Sequence, residues 1–217
     1  VAEKERAELA RPRFSSLRDM AASLKCASRR GLAERFDSTV GAGSVLMPFG
    51  GKTQRTPAQA MAAVFPVLPG QATDQASVMA WGCDPEQTSV DPYIGAYNAV
   101  YTSMAKLVAA GADYKKAYLS FQEFFEKPFS ALLGTVDAQL ELGAAAIGGK
   151  DSMSGTFLDL DVPPTLISFA VAPLKTGEVL SPEFKEAGHP VYLFSGADTE
   201  SLKAAWEALH TLALNGK

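Results

Sequence analysis

Residues 163–172 read PPTLISFAVA, and this stretch decides how the chain folds. After the two prolines, bulky side chains stand at every second position with small ones between them. The bulky set is Ile167, Phe169 and Val171, and the small set is Ser168, Ala170 and Ala172. A repeat of two residues is typical of a β-strand, whose side chains point alternately to opposite faces. We therefore predict a strand over residues 165–172 whose small face is closely approached by a helix or a second sheet.

Outward from this strand, strand-like runs and helical patterns intermix along the chain. Further strands are predicted over residues 60–68, 77–81, 118–121 and 191–195. Helices are predicted over residues 15–30, 92–110, 128–142 and 199–214, with glycines at positions 31, 111 and 143 as stops. Asp91 and Asp198 are the predicted N-caps of the second and fourth of these helices. Because the elements do not follow a strict βαβ order, we expect an α+β fold with a mainly antiparallel sheet and helices on one face.

The chain is expected to comprise three parts. Residues 1–13 are charged and read as a linker from a preceding region, and residues 14–176 form one α+β domain. The polar, proline-flanked segment near residues 173–182 separates that domain from residues 177–217. Only one strand and one helix are predicted after this boundary, which is too little for a domain. We therefore expect residues 177–217 to be the incomplete start of a second α/β domain, and the chain to be cut from a longer protein.

Composition excludes several classes of protein. Of the 217 residues, 47% are hydrophobic and 20% are charged, which suits a globular protein with a true core rather than a disordered chain. The net charge of −4 provides no drive toward nucleic acid. Two cysteines are too few for a disulfide framework, so a reducing, cytoplasmic location is expected. No apolar run approaches the ~20 residues of a membrane span, so no membrane partner is expected.

Familiar catalytic patterns are missing from the sequence. No serine lies in a GxSxG motif, and neither His189 nor His210 has a metal-ligating neighbour three or four residues further on. A phosphate-binding P-loop ending at Lys52 would need glycine where Leu46 stands, and one ending at Lys150 would need glycine where Ala144 stands. We therefore assign no catalytic residue from the sequence.

The segment GGKDSMSG at residues 148–155 is the most unusual part of the chain. Paired glycines allow close approach of a ligand to the backbone, and a lysine is suited to phosphate. A carboxylate can hold a metal, and serine hydroxyls can donate to phosphate or carbonyl oxygens. The candidate residues are Gly148, Gly149, Lys150, Asp151, Ser152 and Ser154. From these residues alone, a ligand-binding loop and a plain polar loop between two strands are equally supported.

Two longer strings carry a resemblance to a known family. They are GGKDSMSGTF at residues 148–157 and DLDVPPTLISFAVAP at residues 159–173, supported by RFDSTVGAGSVLMPFGG at 35–51 and KPFSALLGTVDAQLELG at 127–143. Together they resemble the long, single-chain form of phosphoribosylformylglycinamidine (FGAM) synthase, from about residue 14 onward. The resemblance implies the N-terminal-type domain of the second synthetase-like unit, with a fold like that of aminoimidazole-ribonucleotide (AIR) synthetase. Other ATP-using members of that superfamily fit the fold but not these strings.

The resemblance also implies a reaction and partners. The complete enzyme is an ATP-, Mg²⁺- and glutamine-dependent ligase of purine biosynthesis, which converts formylglycinamide ribonucleotide (FGAR) into its amidine. Its other parts, a first synthetase-like unit and a glutaminase domain, would be the partners of this chain, which we expect to be inactive alone. Such domains pair through their sheets, so the isolated chain is expected to form a homodimer. The alternative is a purely structural, dimerising half that contacts no ligand.

Residue roles follow from the resemblance position by position. Short-form relatives carry GGNVS at this point, which places Gly148, Gly149 and Lys150 beside the nucleotide, and Ser152 and Ser154 beside the substrate. Lysine replaces the metal-binding asparagine and would instead neutralise phosphate, so Asp151 becomes the candidate metal ligand. An auxiliary nucleotide and metal site of some relatives aligns with Gln59, Thr102 and Lys106. These supply no carboxylate, and we expect that site to be lost.

Overall fold

The computed structural model describes residues 14–36, 42–124, 128–152 and 155–216. The predicted linker at residues 1–13 lies outside this part of the chain. The strands are β1 Ser44–Leu46, β2 Phe49–Gly50, β3 Thr56–Pro57, β4 Ala60–Val64, β5 Gln75–Gly82, β6 Tyr118–Phe124, β7 Ala146–Ser152, β8 Thr156–Phe157, β9 Leu160–Asp161 and β10 Thr165–Lys175. The α-helices are α1 Leu17–Ala22, α2 Arg30–Phe36, α3 Pro85–Val90, α4 Pro92–Ala109, α5 Phe129–Leu142 and α6 Thr199–Leu214.

One six-stranded sheet organises the fold, in the order β1-β4-β5-β10-β6-β7. Every neighbouring pair is antiparallel except β6 and β7, which run parallel at one edge. Two short ribbons, β2–β3 and β8–β9, lie outside this sheet. The α+β class with a mainly antiparallel sheet is thus confirmed. Strand β10, predicted from its alternation, lies inside the sheet and pairs along its length with β5 and β6.

Helix α4 lies against the small face of the central strands. Ser168, Ala170 and Ala172 of β10 are fully buried, and their neighbours on β5 include Ala80 and Gly82. The Oγ atoms of Ser103 and Ser168 are 2.8 Å apart and join helix to strand by a buried hydrogen bond. Helix α5 packs beside α4, and α6 contacts both. The close approach predicted from the small side chains is therefore confirmed, with the described long helices gathered on this helix face of the sheet.

The opposite side, which we call the open face, carries the bulky set of β10 and its neighbours. Its large apolar residues include Met61, Met79, Trp81, Tyr118, Ile167, Phe169 and Val171, which share one face by strand register with the polar Ser120 and Gln122. Met61 is 49% exposed and Tyr118 is 56% exposed. The bulky residues of β10 are only half-buried. Within the described ranges the open face is therefore an apolar surface that is incompletely covered.

Helix ends follow the predicted capping residues. Asp91 accepts a hydrogen bond from the Ile94 amide at 3.2 Å, and Pro92 occupies the first turn of α4. Asp198 caps α6 by accepting from the Ser201 amide at 2.8 Å. Gly143 ends α5 in the left-handed conformation, with φ of 68°. Local chemistry is therefore sufficient to set these boundaries.

Several predicted boundaries were wrong. The helix expected over residues 15–30 is broken at Ser23. The backbone amide of Ser23 donates to the carbonyl of Met20 at the end of α1, and Ser23 then caps a 3-10 turn at Leu24–Cys26. Gly31 does not stop a helix but lies inside α2. Strand β4 ends at Val64 rather than at residue 68. Residues 191–195 form no strand, since no described strand lies beside them to pair with, and Leu193 is 89% exposed. No helix of the described residues is long and apolar enough to cross a membrane.

Candidate functional site

The first five residues of the glycine-rich segment do not form a loop. Residues 148–152 belong to β7, the edge strand that runs parallel to β6. Both loop interpretations from the sequence are therefore corrected, because the backbone of this segment pairs with a neighbouring strand. Ser154, predicted to contact substrate, and the segment at residues 125–127 lie outside the described residues.

Strand alternation divides the candidate residues between two faces. Lys150 and Ser152 pair in register with Gln122 and Phe124, on the open side of the sheet. Gly149 and Asp151 pair in register with residues 121 and 123, on the helix side. Lys150 donates a hydrogen bond through Nζ to Ser152 Oγ. The structure therefore brings Lys150 and Ser152 together and places Asp151 on the other face.

The Lys150–Ser152 pair has the chemistry of an anion site. The Lys150 side chain is exposed, and its ammonium group is a point charge suited to phosphate. A serine hydroxyl can donate to the same anion or to a substrate carbonyl. Gly148 and Gly149 are also exposed, so a ligand can reach the backbone beside the lysine. A charged lysine cannot ligate Mg²⁺, and the register partners on this side, Gln122 and Phe124, provide no carboxylate. The open side of β7 thus fits an anion and does not fit a metal ion.

Close packing requires a glycine at position 149 but not at position 148. A Cβ built on Gly149 would lie 2.2 Å from the carbonyl oxygen of Phe121, whereas one built on Gly148 meets nothing within 4 Å. The neighbouring carbonyl belongs to the backbone of β6 and cannot move without disturbing the strand pair. Gly149 is therefore required by the sheet itself, whatever ligand it contacts.

We expect Gly149→Ala to destabilise the chain by about 1–3 kcal/mol, the usual effect of inserting a methyl group where there is no space. Gly148→Ala is the matched control and should change stability by no more than about 0.5 kcal/mol, since the added group meets open space. Urea unfolding followed by circular dichroism measures both. Equal stability of the two variants would contradict the packing argument.

The three residues aligned with the auxiliary site do not share one cavity. Gln59 and Lys106 line a cavity of about 400 Å³ together with Ser181 and apolar residues. Thr102 lines a different cavity of about 280 Å³, beside Cys83. Lys106 Nζ lies 4.8 Å from the centre of the Trp81 ring, and burial lowers the pKa of this lysine. The cavity that holds Gln59 and Lys106 has no carboxylate in its lining, so the loss of the auxiliary site stays our prediction.

Sequence reasoning missed one group next to the glycine-rich strand. The predicted strand ended at residue 121, whereas β6 continues to Phe124 and includes Gln122 and Glu123. Glu123 is only 6% exposed, and its register partner is Asp151. Burial, and secondarily the charge of Asp151, raise the pKa of Glu123. The available signal was a glutamate between Phe121 and Phe124, and it is recognised only if the predicted strand is extended beyond residue 121.

Comparison with known proteins places this fold among solved structures. Thermotoga maritima PurL complexed with AMPPCP superposes with a TM-score of 0.61 at 19% identity, over 94% of this chain and 33% of that chain. The same protein complexed with FGAR gives 0.57 at 20% identity, over 88% and 30% of the two chains. Phosphoribosylformylglycinamidine synthase II from T. maritima gives 0.54 at 19% identity, over 81% and 28%.

These similarities establish the fold. The chain has the fold of one part of T. maritima PurL and spans about a third of the length of that protein. No protein-family model matches the chain, and no curated protein matches it.

Proposed function

We propose that this chain is part of an FGAM synthase of the long, single-chain form, and that it belongs to the second synthetase-like unit. The observation that carries the proposal is the Lys150–Ser152 pair at the exposed edge of a sheet whose fold is shared with T. maritima PurL. Structures of that protein hold AMPPCP and FGAR, a nucleotide analogue and a ribonucleotide. The strings at residues 148–157 and 159–173 support the same assignment.

In the proposed reaction, ATP activates the amide oxygen of FGAR, and ammonia released from glutamine then displaces phosphate to leave the amidine. The residues of this chain bind and orient rather than react. Lys150 neutralises phosphate charge, Ser152 donates a hydrogen bond to the substrate, and Gly148 and Gly149 allow the nucleotide to approach the backbone. The Mg²⁺ that accompanies ATP would not be held on the Lys150 side of the sheet, because neither register partner there, Gln122 or Phe124, is a carboxylate. Asp151, on the opposite face of β7, stays the candidate metal ligand of this chain.

The chain alone is proposed to be inactive. Amidine formation also requires a first synthetase-like unit and a glutaminase domain, which would be its partners in a cytoplasmic enzyme. The alternative function is a purely structural half that pairs through the open face and contacts no ligand. Its support is the apolar open face itself, which would need a cover in either case.

We expect Ser152→Ala in the complete enzyme to lower kcat/KM for FGAR by the equivalent of about 1–3 kcal/mol, the effect of losing a polar partner in a desolvated site. Lys150→Ala should impair ATP use more than glutamine hydrolysis, since its charge faces phosphate. Steady-state assays of amidine formation and of glutamine hydrolysis measure both.

Lys52→Ala is the matched control, because Lys52 also follows two glycines but lies exposed in the turn between β2 and β3. This variant should keep the activity of the parent enzyme. Unchanged kinetics for both the Ser152 and the Lys150 variants would favour the purely structural alternative. Amidine formation by the 217-residue chain alone would overturn the proposed division of roles.

A further inference from the structure

The open side of the sheet changes its chemistry toward β7. Around Met79 and Phe169 it is apolar, whereas polar side chains lie next to one another on the last two strands. We call these four side chains the polar edge: Ser120 and Gln122 of β6, and Lys150 and Ser152 of β7. Gln122 and Lys150 are register partners on strands about 4.8 Å apart, so both side chains can reach one ligand.

Gly148 leaves a recess at one end of the polar edge. Its register partner is Ser120, and a Cβ built on it would meet nothing within 4 Å. At the other end, the ring of Phe124 packs against the segment that follows β7, since a Cβ built on Gly155 would lie 2.5 Å from Cζ of that ring. Gln122 lies on β6 between Ser120 and Phe124, so it borders the space that a ligand beside Lys150 would fill.

Gln122 has hydrogen-bonding capacity that the described part of the chain does not use. Its side-chain amide offers two N–H donors and a carbonyl acceptor, and no described residue bonds to it. The residue is already half-buried, beside the half-buried Ile167 of β10. The open face needs a cover in either function considered above, and a cover would remove the amide from water. An amide that loses water without gaining a partner is unfavourable, so the covered state requires a partner for Gln122.

We propose that Gln122 binds the amide group of FGAR and so contributes to substrate selection, an inference that rests on the proposed function. In the proposed reaction ATP activates the amide oxygen, so the amide must lie next to the phosphate that Lys150 neutralises. The side chain of Gln122 lies beside Lys150 and can donate to a carbonyl oxygen and accept from an amide N–H. This pairing favours a carboxamide over a ligand that lacks either group, because the unmatched half of Gln122 would be left without a partner.

Calorimetric titration of the complete enzyme with FGAR, and separately with AMPPCP, tests this inference. Gln122→Leu should weaken FGAR binding at least about tenfold, the effect of losing one or two hydrogen bonds, and should leave AMPPCP binding within about twofold. Gln122→Glu keeps the length of the side chain but places a negative charge beside Lys150, so it should weaken the binding of both ligands at least about fivefold.

Gln75→Leu is the matched control. Gln75 of β5 also has a lysine as its register partner, Lys175, but its amide already donates to Asp74 Oδ1 at 3.1 Å. It lies two strands away from β6, so this variant should bind FGAR and AMPPCP as the parent enzyme does.

The outcomes separate the role of Gln122 from the proposed function. A parent enzyme that does not bind FGAR would overturn the proposed function, and the role of Gln122 with it. FGAR binding of equal strength in the parent enzyme and in Gln122→Leu would overturn the role of Gln122 alone, and so would an equal loss of both ligands in that variant. Thermal unfolding shows whether each variant is folded. If Gln122→Leu does not fold, unchanged FGAR binding by Gln122→Glu would overturn the inference in its place.

Discussion

Replacing Gly82 with alanine is expected to cost the chain about 3 kcal/mol of stability or more, at the upper end of the range for overpacked cores. A Cβ at this position would lie 2.0 Å from the carbonyl oxygen of Ala99 and 2.8 Å from the amide nitrogen of Ser103. Both atoms belong to the backbone of α4, so the added methyl group can be accommodated only if the helix moves off the sheet. Because small proteins are stable by only about 5–15 kcal/mol, this single methyl group removes a large share of the total.

Urea unfolding followed by circular dichroism measures the change. Gly177→Ala provides the control, since a Cβ there meets nothing within 4 Å and the residue is exposed. That variant should unfold within about 0.5 kcal/mol of the parent chain. Equal stability of Gly82→Ala and Gly177→Ala would contradict the close approach of α4 to β5 at this position.

The same contact shows why the fold class could be predicted from sequence. The small side chains of β10 predict that a helix packs closely on their face, and the bulky side chains predict that the other face of the strand packs differently. Capping residues such as Asp91 and Gly143 act within one turn of their own position, so their effect is readable locally. These features do not depend on which other segment lies nearby.

The segments predicted wrongly depend on neighbours that sequence does not reveal. Residues 148–152 have glycines and charges that argue for a loop, and they become a strand only because β6 offers an unpaired edge. Residues 191–195 have the apolar pattern of a strand, yet without a described neighbouring strand they remain irregular. Backbone pairing therefore decides the conformation at both places and overrides local propensity. It makes a strand where the residues favour a loop, and its absence leaves an irregular segment where the residues favour a strand.

The candidate site was predictable only in part for the same reason. Lys150 and Ser152 were identified from their residue types, but their separation from Asp151 follows from strand alternation. The pairing of Asp151 with Glu123 required knowledge of the parallel register between β6 and β7, two strands separated in sequence by helix α5. Residue chemistry can thus be read from the sequence, whereas the grouping of residues into sites requires the sheet.

We also expect the isolated chain to form a homodimer through the open face, and a single substitution there to abolish it. Half-buried Ile167, Phe169 and Val171 would leave much of their apolar surface in water in a monomer. A second copy related by a two-fold axis would cover one such face with another, and an interface of ordinary size forms with micromolar or tighter affinity. In the complete enzyme we propose that the first synthetase-like unit occupies the same face.

Phe169→Glu should convert this dimer into a monomer, because it places an unpaired charge at the centre of the buried surface. Phe184→Glu makes the same change at a side chain that is 84% exposed and lies outside the strands of the sheet, so it should leave the dimer intact. Light scattering at about 100 μM, well above a micromolar Kd, distinguishes the two states by mass, with the monomer at 22.9 kDa. A parent chain that scattered as a monomer would exclude the open face as a self-association surface. Dissociation of both variants would mean that the dimer forms elsewhere or that added charge alone disrupts it. Selective loss of the dimer in Phe169→Glu, the expected result, ties association to the bulky side of β10.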